Sequence, residues 1–322
     1  MSILCSISTR GRYDTTLPLA ITSVINQTLR PTKLIIFDDN DQPEDLRQTE
    51  LYKYLFNVLD SKGIDWGVVY GERKGQHYNH QKANTLGYDW VWRLDDDTVA
   101  EADVLEKLYA QTNSDVGAVG GSILTPPVSE GTMVNATGLI DRINEEPNSQ
   151  WGYIDFTREV DHLHCSFLYR AGIVDYNLSL SKVAHREETF FTYDLKKAGY
   201  KILITPCVTW HLRNSEGGIR WGNNYHLFER DDKLFQYRDR TIVVLDCGMG
   251  DHIVFKHVLP EIEKPLVFTC YPDIVPGLGL AEAQQLLGDN YGNYNIYGKM
   301  EKWNWTGSLE DAFREMYVRK RR

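Results

Sequence analysis

The residues of this chain best placed to do chemistry are three consecutive carboxylates, Asp95, Asp96 and Asp97. They close the apolar run Trp90-Val91-Trp92-Arg93-Leu94, and a helical pattern opens just beyond them at Ala100-Glu101-Ala102-Asp103-Val104-Leu105. Adjacent carboxylates repel one another unless water, a basic side chain or a cation divides their charge. Oxygen-rich clusters suit Mg²⁺ and also Mn²⁺, which complete their shells with substrate phosphates. Taken alone, the triplet reads more readily as a solvated acidic loop. Its meaning comes from its company: a second apolar run, Lys33 to Phe37, ends in Asp38-Asp39-Asn40-Asp41, and Glu187-Glu188 opens a helical pattern further on.

The elements that must position these groups are legible as alternating strands and helices. Ile3 to Ser8 is rich in β-branched residues and reads as a strand; Leu17, Ile21, Val24 and Ile25 then recur at helical spacing, with Pro18 in the first turn. The next strand, Lys33 to Phe37, completes a βαβ unit, the building block of a parallel sheet. Glu44 to Leu59 reads as a helix, Trp66 to Tyr70 as a strand, 71–81 as a polar loop, and 82–87 as a short helix leading into the Trp90 strand. Val104 to Ala110 continues as helix, and Val116 to Gly121 is a strand. From 125 to 161 periodicity is lost and Pro, Gly, Ser and Asn accumulate, as in a lid or acceptor-side connection. A strand over 161–169 would alternate His162, His164 and Cys165; a helix over 187–198 ends at Gly199, and a strand follows from Lys201 to Thr205. A helical stretch over 226–237 closes this first domain, expected to span 1–238. A smaller βαβ module, 239–322, contains the turn Gly248-Met249-Gly250-Asp251, read as structural. Acidic strand tips fit this architecture, because open α/β sheets bind ligands at the carboxyl ends of their strands.

Composition narrows the function classes. A net charge of −10 over 322 residues argues against long nucleic-acid tracks and for phosphate handling through a metal or backbone amides. Five scattered cysteines without CxxC spacing read as reduced core thiols, and His162, His164 and Cys165 lack the second ligand pair of a zinc site. No apolar run reaches membrane-spanning length, so a soluble, cytoplasmic protein is expected.

The ordered set of segments resembles the family 2 glycosyltransferases with the GT-A fold. The resemblance rests on Ile7-Ser8-Thr9-Arg10, on Ser23-Val24-Ile25-Asn26-Gln27-Thr28, and on Ile35-Ile36-Phe37-Asp38-Asp39-Asn40. It continues through Leu94-Asp95-Asp96-Asp97 as a DxD motif, the strand Val116 to Gly121, and His185-Arg186-Glu187-Glu188-Thr189 as an ED motif, with Trp210-His211 after the next strand. It covers about 1–230 and implies a Rossmann-like, mostly parallel sheet flanked by helices. It also implies sugar transfer, with inversion, from a nucleoside diphosphate sugar to the hydroxyl of a glycan, a lipid-linked or another acceptor.

By that resemblance Asp97 holds Mn²⁺ or Mg²⁺, with Asp95 facing the ribose or a water of the metal and His211 completing the shell. Asp38 and Asp39 would read the nucleoside. Thr9, Arg12, Lys82, Asn84 and Asp96 would line the donor site. Glu188 would be the base that deprotonates the acceptor, with Glu187 as the fallback; the family usually carries Asp where this chain has Glu188. A nucleotidyltransferase of similar fold and a non-catalytic sugar-nucleotide binding protein are the alternatives. Modified DNA is the weakest acceptor candidate, and the small second module would serve acceptor docking or self-association.

Overall fold

The structure is a computed structural model describing residues 2–126 and 150–212, Leu227, Phe228, Asp231, Asp232 and Phe235, and the strands 241–245 and 265–269. The chain divides into two compact units, Met1–Asp232 and Lys233–Arg322, slightly ahead of the boundary expected after residue 238.

The first unit is built outward from β1, Ile3–Thr9, whose side chains alternate between two apolar layers. Ile3, Cys5 and Ile7 enter a core with Leu17, Ile21 and Val24 of α1 (Leu17–Ile25) and with Tyr52, Phe56 and Leu59 of α2 (Glu50–Ser61). Leu4 faces the opposite core, which holds Ala83 of α3 (Gln76–Asn84) and Phe191 and Leu195 of α5 (Glu187–Lys197). Period-two alternation thus places helices on both faces of the sheet. The remaining strands are β2 (Lys33–Asp38), β3 (Asp65–Tyr70), β4 (Trp90–Asp95), β5 (Thr98–Ala100), β6 (Val116–Leu124), β7 (Arg158–Glu159), β8 (Phe167–Arg170) and β9 (Lys201–His211). A further short helix, α4, spans Val104–Tyr109.

Strand order is β3-β2-β1-β4-β8-β6-β9-β5, with β7 also paired to β9. The half from β3 to β4 is parallel, as expected. The other half is mixed: β8 runs antiparallel between β4 and β6, while β6 and β9 are parallel. Since β2 and β4 flank β1, and strands lie about 4.8 Å apart, their carboxyl ends sit about 10 Å from one another across Thr9. That is a span suited to a nucleoside diphosphate.

Three expected elements differ. The helix read as Glu44 to Leu59 is broken: a 3-10 turn, Leu46–Gln48, capped by Asp45, precedes α2, and Thr49 between them is extended. The polar loop before Lys82 is mostly the helix α3, which buries His77, Asn79 and His80. Apolar periodicity could not announce a helix whose buried face is polar. His162, His164 and Cys165 are not alternating strand residues; β8 starts only at Phe167, and Cys165 has φ of 50°, which an extended strand does not allow. The end of α5 follows expectation, with Gly199 in the left-handed region at φ 94°.

In the second unit β10 (Thr241–Leu245) and β11 (Pro265–Thr269) pair in parallel, the arrangement expected of the two strands of a βαβ module. The turn expected at 248–251, and most of the segments at 125–161 and 226–237, lie outside the described residues.

Candidate active site

The acidic tip of β4 splits three ways. Asp96, buried, turns toward the end of β1: it accepts hydrogen bonds from Thr9 Oγ1 at 2.7 Å, from the Arg10 backbone N–H at 3.2 Å and from Arg12 Nη1 at 2.5 Å. Burial lifts its pKa to about 6 against the pull of Arg12, with Asp97 adding to the rise. Asp97 lies 3.0 Å from Arg12 Nη1 through Oδ2 and 3.5 Å from His211 Nε2 through Oδ1. Its carbonyl accepts from Leu212 N–H, so the ends of β4 and β9 are tied together. Asp95 turns inward, 3.0 Å from Arg93 Nη2. Burial raises its pKa, Arg93 opposes the rise, and Asp97 and Glu188 reinforce it.

Arg93 is fully buried in the middle of β4 and makes a forked pair with Glu187, Nη1 to Oε2 at 2.9 Å and Nη2 to Oε1 at 2.7 Å. Gln76 Nε2 donates to the same carboxylate at 2.6 Å, bringing in the first turn of α3. The fork–fork geometry is the strongest available to such a pair. Burial raises the Glu187 pKa; Arg93 works against this, and Glu188 and Asp95 add to it. Glu187 is thus committed to a structural pair.

Glu188, the next residue, is also buried, with Oε1 3.7 Å from His164 Nδ1. Desolvation drops His164 to about 4, and the Glu188 contact only partly offsets it, so the imidazole is neutral near pH 7. The half-buried Trp151 joins the base side to the β9 side: its ring centroid is 6.2 Å from that of His164 and 5.8 Å from that of His211. Cys165 lies in the same field, its thiol held well above its ordinary pKa by burial and then by Asp95, Glu188 and Asp97.

At the tip of β2 the two aspartates take different roles. Asp38 accepts from Asn40, from N–H at 3.0 Å and Nδ2 at 2.8 Å, and from the Tyr13 hydroxyl, which fixes the β2 loop. Asp39 Oδ1 accepts from Arg73 N–H at 2.9 Å, while its buried Oδ2 has no hydrogen-bond partner among the described residues. Burial raises Asp39, although the Arg73 N–H, Asn79 and Arg10 oppose it. Gly71 is required beside it: a Cβ there would stand 2.6 Å from Asp39 Oδ1 and 2.8 Å from Asn79 Oδ1.

One expected donor-site residue lies elsewhere. Asn84 closes α3 near the start of β4, donating to the Val174 carbonyl and accepting from Gly172 N–H, each at 2.9 Å. Trp90 and Asp95 stand at opposite ends of β4, about 17 Å apart at strand rise, so Asn84 braces the wrong end of the sheet for chemistry. Lys82, half-buried on α3, instead pairs at 3.1 Å with Glu72, which follows β3 at the same end of the sheet as Asp39. Sequence reasoning missed Arg93, Gln76, Trp151 and the His164 contact. Arg93 carried a signal, since a charge centred in a buried strand needs a partner.

A family model for glycosyl transferase family 2 matches residues 7–176, which contain the end of β1, all of β2 to β4 and the acidic tip of β4. The chain belongs to that family. Glycosyl transferase family 2 membership agrees with the fold seen in the crystal structure of GalNAc-T7 with UDP, GalNAc and Mn²⁺. That likeness has a TM-score of 0.50 at 13% identity and covers 97% of this chain and 58% of that one. The crystal structure of S. aureus TarS is similar at TM-score 0.46 and 11% identity, covering 80% of this chain and 43% of that one. The chain thus spans about half the length of the solved structures it matches. No curated protein matches its sequence. The mixed sheet flanked by helices is the GT-A fold, in keeping with membership of glycosyl transferase family 2. No helix among the described residues is long and apolar enough to cross a membrane.

Among the described residues no three His, Cys, Asp or Glu side chains are grouped as a ready metal shell. Asp95, expected beside Asp97 and His211, is drawn away by Arg93. What remains is one carboxylate and one imidazole facing each other at 3.5 Å. That donor set fits a hard or borderline cation that takes its other ligands from water and diphosphate oxygens.

Proposed function

We propose that this site moves a sugar from a nucleoside diphosphate sugar to an acceptor hydroxyl with inversion, Glu188 acting as base. The observation that carries the reading is the division of labour within the Glu-Glu pair. Glu187 is bound into the Arg93 fork, whereas Glu188 faces a neutral histidine within the same acidic cluster as Asp95 and Asp97.

Glu188 takes the proton of the acceptor hydroxyl as that oxygen attacks the anomeric carbon. The bond from the anomeric carbon to the diphosphate oxygen breaks, and its electron pair leaves with the diphosphate. His164, neutral, leaves the carboxylate its basicity. Asp97 and His211 would hold Mn²⁺ or Mg²⁺, which, when bound, neutralises charge on the departing diphosphate. Arg12, between Asp96 and Asp97, adds a fixed positive charge at the same tip. Asp39 offers its spare oxygen to an N–H or O–H of the nucleoside. Trp151 supplies an apolar wall between the β9 and base sides, suited to the face of a sugar ring. A glycan or another hydroxyl-bearing acceptor fits this chemistry.

Substitutions separate these roles. Glu188→Gln should lower transfer by about a hundredfold or more with nucleotide affinity within about twofold, as expected for loss of a general base. Asp97→Ala should weaken nucleoside diphosphate binding in Mn²⁺ and leave little difference between Mn²⁺ and EDTA, measured by calorimetry. A Glu188→Gln protein that transfers at full rate removes Glu188 from the base role.

A further inference from the structure

Helix α5 delivers Glu187 and Glu188 in its first turn; Glu187 is held by Arg93 and Gln76, but no side-chain cap fixes the turn that leads into the helix. The residue before it, Arg186, makes no side-chain capping bond and has φ of 67°; Ala184, two residues earlier, has φ of 49°. Non-glycine residues in the left-handed region persist where surrounding structure holds them there. The hold comes from far along the chain. Asp231, fully buried, accepts from Ser181 N–H at 2.9 Å, from Ser181 Oγ at 2.5 Å and from His185 N–H at 3.1 Å. Asp232 lies 2.8 Å from His185 Nε2 and 2.9 Å from Arg186 Nε, and the Phe228 ring meets that of His185 edge-on at 4.9 Å.

We propose that Asp231 and Asp232 are positioning residues for catalysis: they latch the 181–186 turn so that the first turn of α5 aims Glu188 at the reacting atoms. The inference rests on the reading of Glu188 as base. Both aspartates lie beyond the 7–176 family match, and both act on Glu188 through backbone and turn conformation. Each latch contact falls within six residues of Glu187, so loosening it rotates the start of the helix and swings the carboxylate. Misplacement of a catalytic group by about 1 Å costs as much as a hundredfold in rate. The proposed nucleotide-binding residues on β1, β2 and β4 make none of these latch bonds and are expected to keep their geometry.

The test uses the full chain carrying Asp231→Ala, Asp231→Asn or Asp232→Ala, the two milder changes guarding against a fold lost with the first. Hydrogen exchange should quicken at least about tenfold in peptides covering 181–190 and stay unchanged over 3–9 and 90–95, since the Ser181 and His185 amides lose their acceptor. UDP and GDP affinity in Mn²⁺ should stay within about twofold, while kcat for nucleoside diphosphate release from the best nucleotide sugar falls about tenfold or more. Combined with Glu188→Gln, the Asp231 change should cost nothing further, because a positioning residue has nothing left to position. Three results would overturn the proposal: unchanged exchange at 181–190, nucleotide affinity that falls in step with kcat, or losses that multiply in the double variant. A Glu188→Gln single variant at full rate would instead strike the base assignment itself, which keeps the two failures apart.

Discussion

At the residue scale, the site shows neighbouring carboxylates given different tasks by what they face. Asp96 braces β1, Asp95 answers Arg93, and Asp97 faces His211. His164 provides a pH signature. Burial holds its folded-state pKa near 4, below the 6.5 of an exposed imidazole. A depressed histidine binds fewer protons folded than unfolded, so its contribution to stability is present above pH 6.5 and is lost as pH falls toward 4. The shift sets an upper bound of about 3 kcal/mol. Comparing wild type with His164→Gln by urea unfolding at pH 7 and pH 4.5 should show the wild type losing more stability on acidification. Equal losses would show that His164 does not titrate below its ordinary range. Sequence placed the carboxylates because their types are rare at strand ends. It could not say which oxygen each would face, since Arg12 and Arg93 reach them only through the fold.

At the scale of elements, the Arg93 fork joins β4 to α5 and, through Gln76, to α3. Removing one partner strands a buried charge: Arg93→Met should destabilise by about 3–5 kcal/mol. Arg93→Met combined with Glu187→Met should recover a large part of that loss, because two well-packed apolar side chains leave no uncompensated charge. Chemical denaturation of the two variants measures it, and equal destabilisation would show that packing, not charge, sets the cost. The parallel strands β1 to β4 were legible because Ile, Val and Leu runs alternate with amphipathic helices. Helix α3 was not legible, because its inner face carries His77, Asn79 and His80 in place of apolar residues. The antiparallel β8 escaped for a different reason: its order between β4 and β6 is set by pairing between distant segments, which no local pattern encodes.

At the scale of the whole molecule, an acidic chain gathers carboxylates at one end of a sheet and manages them with two arginines, a histidine and, on our reading, a divalent cation. The fold places the tips of β2 and β4 on either side of Thr9, so on our reading nucleoside recognition and diphosphate handling fall to two strands with β1 between them. The second unit contributes the parallel pair β10 and β11. Its proposed service to the acceptor or to self-association is open to a direct check: sedimentation of the full chain should report a species larger than one chain if self-association is its role, and a single chain at all concentrations if it is not. The measurement that bears most directly on the central claim is release of nucleoside diphosphate from a panel of nucleotide sugars, run with Mn²⁺, with Mg²⁺ and with EDTA. The account predicts release from at least one donor, dependent on the cation and abolished by Asp97→Ala. Release that survives both EDTA and Asp97→Ala, or no release from any donor, would contradict it.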